Sequence, residues 1–249
     1  MLSKFRPNLS VFARKVISCK TMKSFSTIST DTTDTVTTKL KVPLDGYMYT
    51  DPKYYDIERK ELLGKSWQFL SHESALIQNG VNAGATYLAD TVSGWPVIIV
   101  RDTKNGNIKG YHNICRHRAG PLEWNGTSGV CKINGLKCKY HGWTFTFDGK
   151  LRGMPRFGDS SSIDKNDYNL WPIRVANYNG LIFVQTLPPD DNLPHYGAEC
   201  DALFLSENKE FCKRVDAIEG MKDFTVIKSA THVLKCNWKV GRVVEMYDM

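Results

Sequence analysis

Two short stretches carry the residues best suited to chemistry, Cys115-Arg116-His117 and Cys138-Lys139-Tyr140-His141. Each pairs one soft thiol with one imidazole, and twenty residues separate His117 from Cys138. Pairs this tight, held at the tips of two loops, can direct their side chains to two adjacent metal ions. A zinc finger instead joins Cys pairs and His pairs at wider spacing. A binuclear iron–sulfur centre with two thiolates on one iron and two imidazoles on the other needs one of each from each loop, which is the pattern present. Gly120 and Gly142 follow the two pairs, where backbone must pass close to such a cluster and aim amides at sulfur. Two other readings of these four residues stay open on spacing alone. One is a mononuclear Cys2His2 zinc site; the other is a set of buried side chains with no ligand.

The pairs need a scaffold, and the flanking sequence supplies strand signals. The runs ATYLAD, WPVIIVRD and IKGYHNI, within residues 85–114, are rich in β-branched and aromatic residues. Asn105-Gly106 between the second and third is hairpin chemistry, because both residues tolerate positive φ. Asp148-Gly149 joins TFTF to KLRG, and RVANYNGLIFVQT reads as two strands meeting at Asn179-Gly180. Residues 84–186 are therefore expected to form an antiparallel β domain with tight turns, the two pairs lying in loops at strand ends. Before it, Asp51 and Pro52 read as an N-cap and first helical residue of a short helix with Tyr55, Leu62 and Leu63 on one face. After it, Pro188-Pro189-Asp190-Asp191 marks a boundary, AECDALFLSEN a short helix, and DFTVIKSATHVLKCNWKV a renewed strand pattern.

The remaining thiols and imidazoles are less specific. Seven cysteines, Cys19, Cys115, Cys131, Cys138, Cys200, Cys212 and Cys236, form an odd, sparse set without a secretory signal, which argues for reduced thiols. Cys131 has no histidine partner nearby and reads as an inert thiol. His112 lies on a strand and reads as a packed or hydrogen-bonding residue; His72, His195 and His232 are isolated. Arg116 and Arg118 offer a positive face to a redox partner, although most exposed arginines do nothing so specific.

At the paired motifs CRHRAGPL and CKYHGWTF the sequence resembles the Rieske [2Fe-2S] domain of the ring-hydroxylating oxygenase superfamily. The resemblance implies that Cys115 and Cys138 hold a buried iron and His117 and His141 an outer one. It implies further that Trp143 shields the cluster and that Gly153-Met154-Pro155 is a third, covering loop. The interval between the pairs is a few residues longer than the family's, with NGTSG as the extra turn. Members from respiratory complexes add a cysteine to each cluster loop; Ala119 and Tyr140 leave no such pair here. That places the resemblance with the oxygenase or soluble ferredoxin types and with the lower part of the Rieske potential range, about −150 to +300 mV. Cys236-Asn237-Trp238-Lys239 matches the segment that precedes the family's mononuclear Fe(II) site, but GRVVEMYDM follows it and no histidine comes after His232. The expected fold is mainly β. It comprises a transit peptide and lead over 1–35, a Rieske-type domain over 36–190, and over 191–249 the truncated start of an α+β catalytic domain, whose exposed edges predict poor stability beyond about residue 190. No catalytic residue is expected in the chain itself. Within the superfamily the resemblance is to choline monooxygenase, which implies oxidation of choline to betaine aldehyde in glycine betaine synthesis, a ferredoxin or flavin reductase as electron donor, a quaternary ammonium substrate and a homo-oligomer. Two alternatives remain: a stand-alone Rieske ferredoxin-like electron carrier and a zinc-stabilised binding module. Iron and labile sulfide content separates the last from the others.

Charge distribution excludes some partners. The formal net charge of the 249 residues is +7, and residues 1–30 hold Lys4, Arg6, Arg14, Lys15, Lys20 and Lys23 with no acid. Setting those six aside leaves +1, too little for a nucleic-acid-binding domain. The lead interleaves basic, hydroxyl and apolar residues as organelle transit peptides do, which predicts a mitochondrial address, with plastid or cytoplasm as alternatives. No stretch is long and apolar enough to predict a membrane span.

Overall fold

A computed structural model describes residues 44–77, 84–131, 134–158, 163–188, 192–227 and 233–240, together with the backbone of Val11 and Phe12. The predicted transit peptide and His232 lie outside the described residues, apart from that short backbone piece. In chain order the elements are β1 (Val11–Phe12), α1 (Tyr47–Thr50), α2 (Pro52–Glu58), β2 (Gln68–His72), β3 (Ala85–Val92), β4 (Trp95–Asp102), β5 (Ile108–His112) and β6 (Thr127–Val130). There follow β7 (Leu136–Lys137), β8 (Thr144–Phe145), β9 (Leu151–Gly153), β10 (Pro172–Tyr178), β11 (Leu181–Gln185), α3 (Ala198–Glu207), α4 (Lys209–Asp216) and β12 (Val233–Leu234). The chain divides into two compact units, one running Ile57–Val226 and the other combining the chain before and after it.

The first unit is built on a seven-stranded sheet in the order β2-β11-β10-β5-β4-β3-β6, every pairing antiparallel, and a three-stranded sheet β7-β8-β9. This is the mainly β fold expected from the sequence. Strand β4 shows why WPVIIVRD reads as a continuous apolar run rather than an alternating one, since both of its faces are buried. Val97 and Ile99 join Ile173, Val175, Ile182 and Val184 in one core, while Ile98 and Val100 join Trp143, Phe145, Cys115 and Cys138 in another. Gly110 in β5 lies where strands crowd closest, and a Cβ there would come within 2.4 Å of Val175 Cγ2.

Turn chemistry sets the register. Asn179 and Gly180 both adopt positive φ (48° and 82°) between the paired Tyr178 and Leu181, the two-residue turn that suits the twist of a hairpin. Ser93-Gly94 does the same between β3 and β4 (φ 50° and 78°). Asn105-Gly106 departs from expectation. Only Gly106 takes positive φ, and Asn105 serves through its side chain, whose Oδ1 accepts the N–H of Asn107 at 2.9 Å in a longer loop.

Asp51 caps α2 as predicted, its Oδ1 accepting the N–H of Lys53 at 2.9 Å. The helix then widens into a π-helical turn, Arg59–Leu63, and Leu62 is 48% exposed rather than on a buried face. Helix α3 forms where AECDALFLSEN predicts one. It does not stand apart from the sheet: Phe204, Cys212 and Val215 of α3 and α4 cover Ala176, Leu181 and Phe183 of β10 and β11. The strand pattern of 223–240 yields, among the described residues, only the two-residue β12, paired with β1 through Val11 and Leu234. In this second unit Asn237 Oδ1 accepts the N–H of Lys239 at 3.1 Å, opening a helical turn at Trp238.

Candidate metal centre

The two Cys-His loops leave the ends of β5 and β7 and close with the same backbone bonds. In the first, Cys115 N–H bonds to Gly120 O (2.8 Å) and Ala119 N–H to Cys115 O (3.0 Å). In the second, Cys138 N–H bonds to Trp143 O (2.8 Å) and Gly142 N–H to Cys138 O (3.2 Å). Each turn needs a positive φ at the fourth residue after its cysteine, met by Ala119 (55°) and Gly142 (76°). The glycines thus serve different ends. Gly142 permits the turn, whereas Gly120 permits close approach, because a Cβ there would lie 2.7 Å from Tyr140 Cβ and 3.1 Å from Cys138 Sγ. A bond from Lys139 N–H to Pro121 O (2.9 Å) ties one loop to the other.

The four predicted ligand residues meet as two like pairs, Cys115 with Cys138 and His117 with His141. Cys115 and Cys138 are 2% and 3% exposed and face each other inside the core. Burial pushes the Cys115 thiol up to about 11, the Cys138 thiol beside it adds to the rise, and the backbone N–H groups of His117 and Arg118 pull the other way. The N–H of Tyr140 points at Cys138 Sγ at 3.4 Å. His117 and His141 sit half-buried nearer the surface with ring centroids 4.8 Å apart. Burial, together with the neighbouring His141 and Arg118, lowers the pKa of His117, which keeps a lone pair available on its ring. The described cysteines, Cys131 included, are all free thiols.

The donor set fits a [2Fe-2S] group. His117 Nδ1 is buried without a hydrogen-bond partner, an atom that protein structure alone leaves unsatisfied. Thiols pair with thiols in the interior and imidazoles with imidazoles outside, with amide N–H groups converging on sulfur, as a cluster divided between S and N ligands requires.

The surroundings pack closely around this arrangement. Trp143 is buried and stacks on His117 (4.7 Å, 7° between planes), and Met154 packs on the same core. The third loop reaches the second, for a Cβ on Gly142 would meet Pro155 Cγ at 3.5 Å. Sequence reasoning missed Asn113, which clamps the first loop at its base. Its Oδ1 accepts the N–H groups of Leu122 (2.9 Å) and Glu123 (3.2 Å), and its Nδ2 donates to Glu123 O (2.7 Å). The signal was present as a polar residue just past a buried strand end. Arg116 is likewise structural: it donates to Asn169 O (2.7 Å) and lies over the Trp171 ring at 4.1 Å. His112 is buried against Trp95, and His72 caps a 3-10 turn by accepting the N–H of Ser74.

Known proteins share this site's fold. Residues 66–178 match the family described as the Rieske [2Fe-2S] domain. The α subunit of chlorobenzene dioxygenase from Cupriavidus sp. (strain PS12) is 31% identical over 206 residues, 79% of this chain and 40% of that protein. The oxygenase subunit of carnitine monooxygenase from Acinetobacter pittii (strain PHEA-2) is 29% identical over 200 residues, 80% of this chain and 48% of that protein. Among solved structures, the apo form of the quaternary ammonium Rieske monooxygenase CntA aligns with a TM-score of 0.63 at 28% identity, covering 78% of this chain and 51% of that one. The chain spans about half the length, or less, of the curated relatives it matches. Residues 66–178 are thus similar to the Rieske [2Fe-2S] domain, and the proteins that the chain resembles include oxygenase subunits and a Rieske monooxygenase.

Proposed function

We propose that this chain is the electron-entry portion of a Rieske-type oxygenase, taking electrons from a ferredoxin or flavin reductase for O2-dependent hydroxylation. The observation that carries this reading is the matched closure of two loops that present two thiols inside and two imidazoles outside. When bound, a [2Fe-2S] group supplies reversible one-electron transfer. Cys115 and Cys138 would hold it from the interior, and His117 and His141 from the surface side. The N–H groups of Tyr140, His117 and Arg118 offset negative charge on sulfur, while Trp143 and Met154 exclude water.

The finer reading is oxidation of a quaternary ammonium compound, choline to betaine aldehyde. It is supported by the likeness to carnitine monooxygenase and CntA, and opposed in part by aromatic-ring dioxygenases of similar identity. The test begins with iron, sulfide and zinc counted on the purified chain and an EPR spectrum of the dithionite-reduced sample. Iron and sulfide in equal amounts, with a rhombic signal lost in Cys115→Ala and His141→Ala, is the expected result. A zinc-loaded, EPR-silent chain would return it to the metal-stabilised binding modules. Choline-dependent O2 uptake with a reductase present supports the oxygenase; a reducible cluster with no uptake on any quaternary ammonium supports a stand-alone carrier.

A further inference from the structure

We propose that a cleft at the other end of the β domain from the cluster loops binds a small neutral polyhydroxyl compound, of monosaccharide or cyclitol size. The cleft holds about 230 Å³ and lies wholly within the unit Ile57–Val226. Its walls come from the β4–β5 loop, from Gly84 before β3, from Asn134 before β7 and from the β8–β9 turn at 146–148. Strand β5 separates the two places: Ile108 stands at the cleft end, and His112, three residues before Cys115, at the cluster end. Its rise of about 3.3 Å per residue puts roughly 13 Å between them. The second cluster loop likewise joins β7 to β8 at the ends away from Asn134 and Thr146.

Charge narrows the ligand class. Asp102 and Asp148 line the cleft against Lys104 and Lys109, so its charged groups sum to zero. Lys109 bonds to Asp148 through Nζ, which lies 4.7 Å from the centre of the Tyr196 ring, so that pair is internally neutral. An entering anion meets two carboxylates and an entering cation two ammonium groups, which disfavours both. What the cleft offers instead is hydrogen bonding. Asn105, Asn107 and Asn134 bring amides, each a donor and an acceptor, which suits hydroxyl groups because those also donate and accept. Buried Val100 and the partly buried ring of Phe147 supply an apolar wall.

The walls are fixed before a ligand arrives. Asp102 Oδ1 accepts the N–H of Lys104 at 2.8 Å, Asn105 Oδ1 that of Asn107 at 2.9 Å, and Thr146 Oγ1 those of Asp148 and Lys150 at 3.2 Å. Phe147 is held through its carbonyl, which accepts the Tyr111 O–H at 3.0 Å. Side chains so placed lose little freedom on binding. Gly84 keeps one wall open, since a Cβ there would lie 2.9 Å from Asn134 Oδ1 and 3.2 Å from Phe147 Cε2. An amide oxygen and the edge of a ring thus stand side by side. A pyranose or cyclitol ring matches that pairing: its C–H face packs on Phe147 while its rim of hydroxyls reaches the amides and Asp102. Polar groups set to bond hydroxyls also reject analogues that lack them.

The test titrates the full chain with D-glucose, D-galactose, D-mannose and myo-inositol in turn, followed by calorimetry and by 1H–15N spectra. Inorganic phosphate, tetramethylammonium and glycine serve as the anionic, cationic and zwitterionic controls. The expected result is a Kd on the order of 1 mM or below for at least one polyol, which a ligand of about twelve heavy atoms can reach. That affinity should not change with salt, because the ligand carries no charge. Amide shifts should fall on residues 102–109 and 146–149 and spare 115–120 and 138–142. Asn107→Ala and Asn134→Ala should each weaken binding about tenfold, the loss of one or two hydrogen bonds, while Tm and the reduced EPR signal stay as in the wild type. If either variant fails to fold, Asn134→Asp is read instead, since it keeps the shape and removes the amide donor. No binding of any of the four polyols up to about 10 mM overturns the proposal. So does polyol binding indifferent to these variants, or binding of phosphate, tetramethylammonium or glycine in place of the polyols.

Discussion

Gly120 and Gly142 occupy equivalent-looking positions in the sequence yet answer to different physics. At Gly120 the limit is space: the Cβ of an alanine would sit 2.7 Å from Tyr140 Cβ and 3.1 Å from Cys138 Sγ, so the second loop must move off the first. At Gly142 the limit is conformation, because φ is +76° while the nearest side-chain atoms lie 3.4 and 3.5 Å away. Gly120→Ala is expected to cut iron content per chain and the amplitude of the reduced EPR signal. Gly142→Ala should keep iron and lose about 1–2 kcal/mol of stability to left-handed backbone strain, read as a lower Tm. Equal iron in both proteins would show that the loops tolerate displacement and that close approach at Gly120 is incidental. Residue types and spacing made Cys115, His117, Cys138 and His141 legible as candidates, because ligand chemistry restricts which residues qualify. Asn113 and Arg116 were not legible as loop clamps, since their roles depend on Leu122, Glu123 and Asn169, whose positions only the folded chain defines.

Among the elements, α3 is fixed to the sheet by a carboxylate. Asp201, in its first turn, accepts the N–H of Asn177 in β10 at 2.8 Å. Burial raises the Asp201 pKa above its ordinary 3.8, with the Asn177 N–H opposing the rise. A folded pKa above the unfolded one means that the folded state binds this proton more tightly. The stability so gained is present below 3.8 and is lost as pH rises through the folded value. Asp201→Asn keeps an acceptor oxygen for Asn177 and removes the charge. Its Tm is therefore expected to vary less over the acid range and to exceed the wild-type Tm at about pH 7. A lower Tm at neutral pH would show instead that attraction between the carboxylate and the N-terminus of α3 outweighs desolvation. The strands and hairpins around α3 were readable because β-branched runs and Asn-Gly pairs act locally. What α3 packs against was not, for a helix of ten residues carries no mark of which sheet face it will cover.

At the scale of the whole chain, the Pro-Pro-Asp-Asp segment at 188–191 looks like a domain boundary, but the compact unit runs on to Val226. The reason is surface area. Phe183 on β11 stacks on Phe204 at 4.5 Å, and Cys212 and Val215 bury the same patch. Each large apolar side chain kept from water there contributes about 1.5–3 kcal/mol, so several together rival the net stability of a domain, about 5–15 kcal/mol. A piece covering residues 57–187 would retain the cluster loops but leave Ala176, Leu181 and Phe183 bare on strands that α3 and α4 now cover. It is expected to aggregate, or to melt without a cooperative transition, whereas residues 57–226 should stay monomeric, unfold cooperatively and load the same iron. Scanning calorimetry with light scattering on the two pieces decides the matter. If the shorter piece melts at the temperature of the longer one, the helices are an appendage, and the boundary belongs where the prolines stand. If it does not, the electron-transfer unit includes α3 and α4, and the sheet face they cover is part of what keeps the two cluster loops in register.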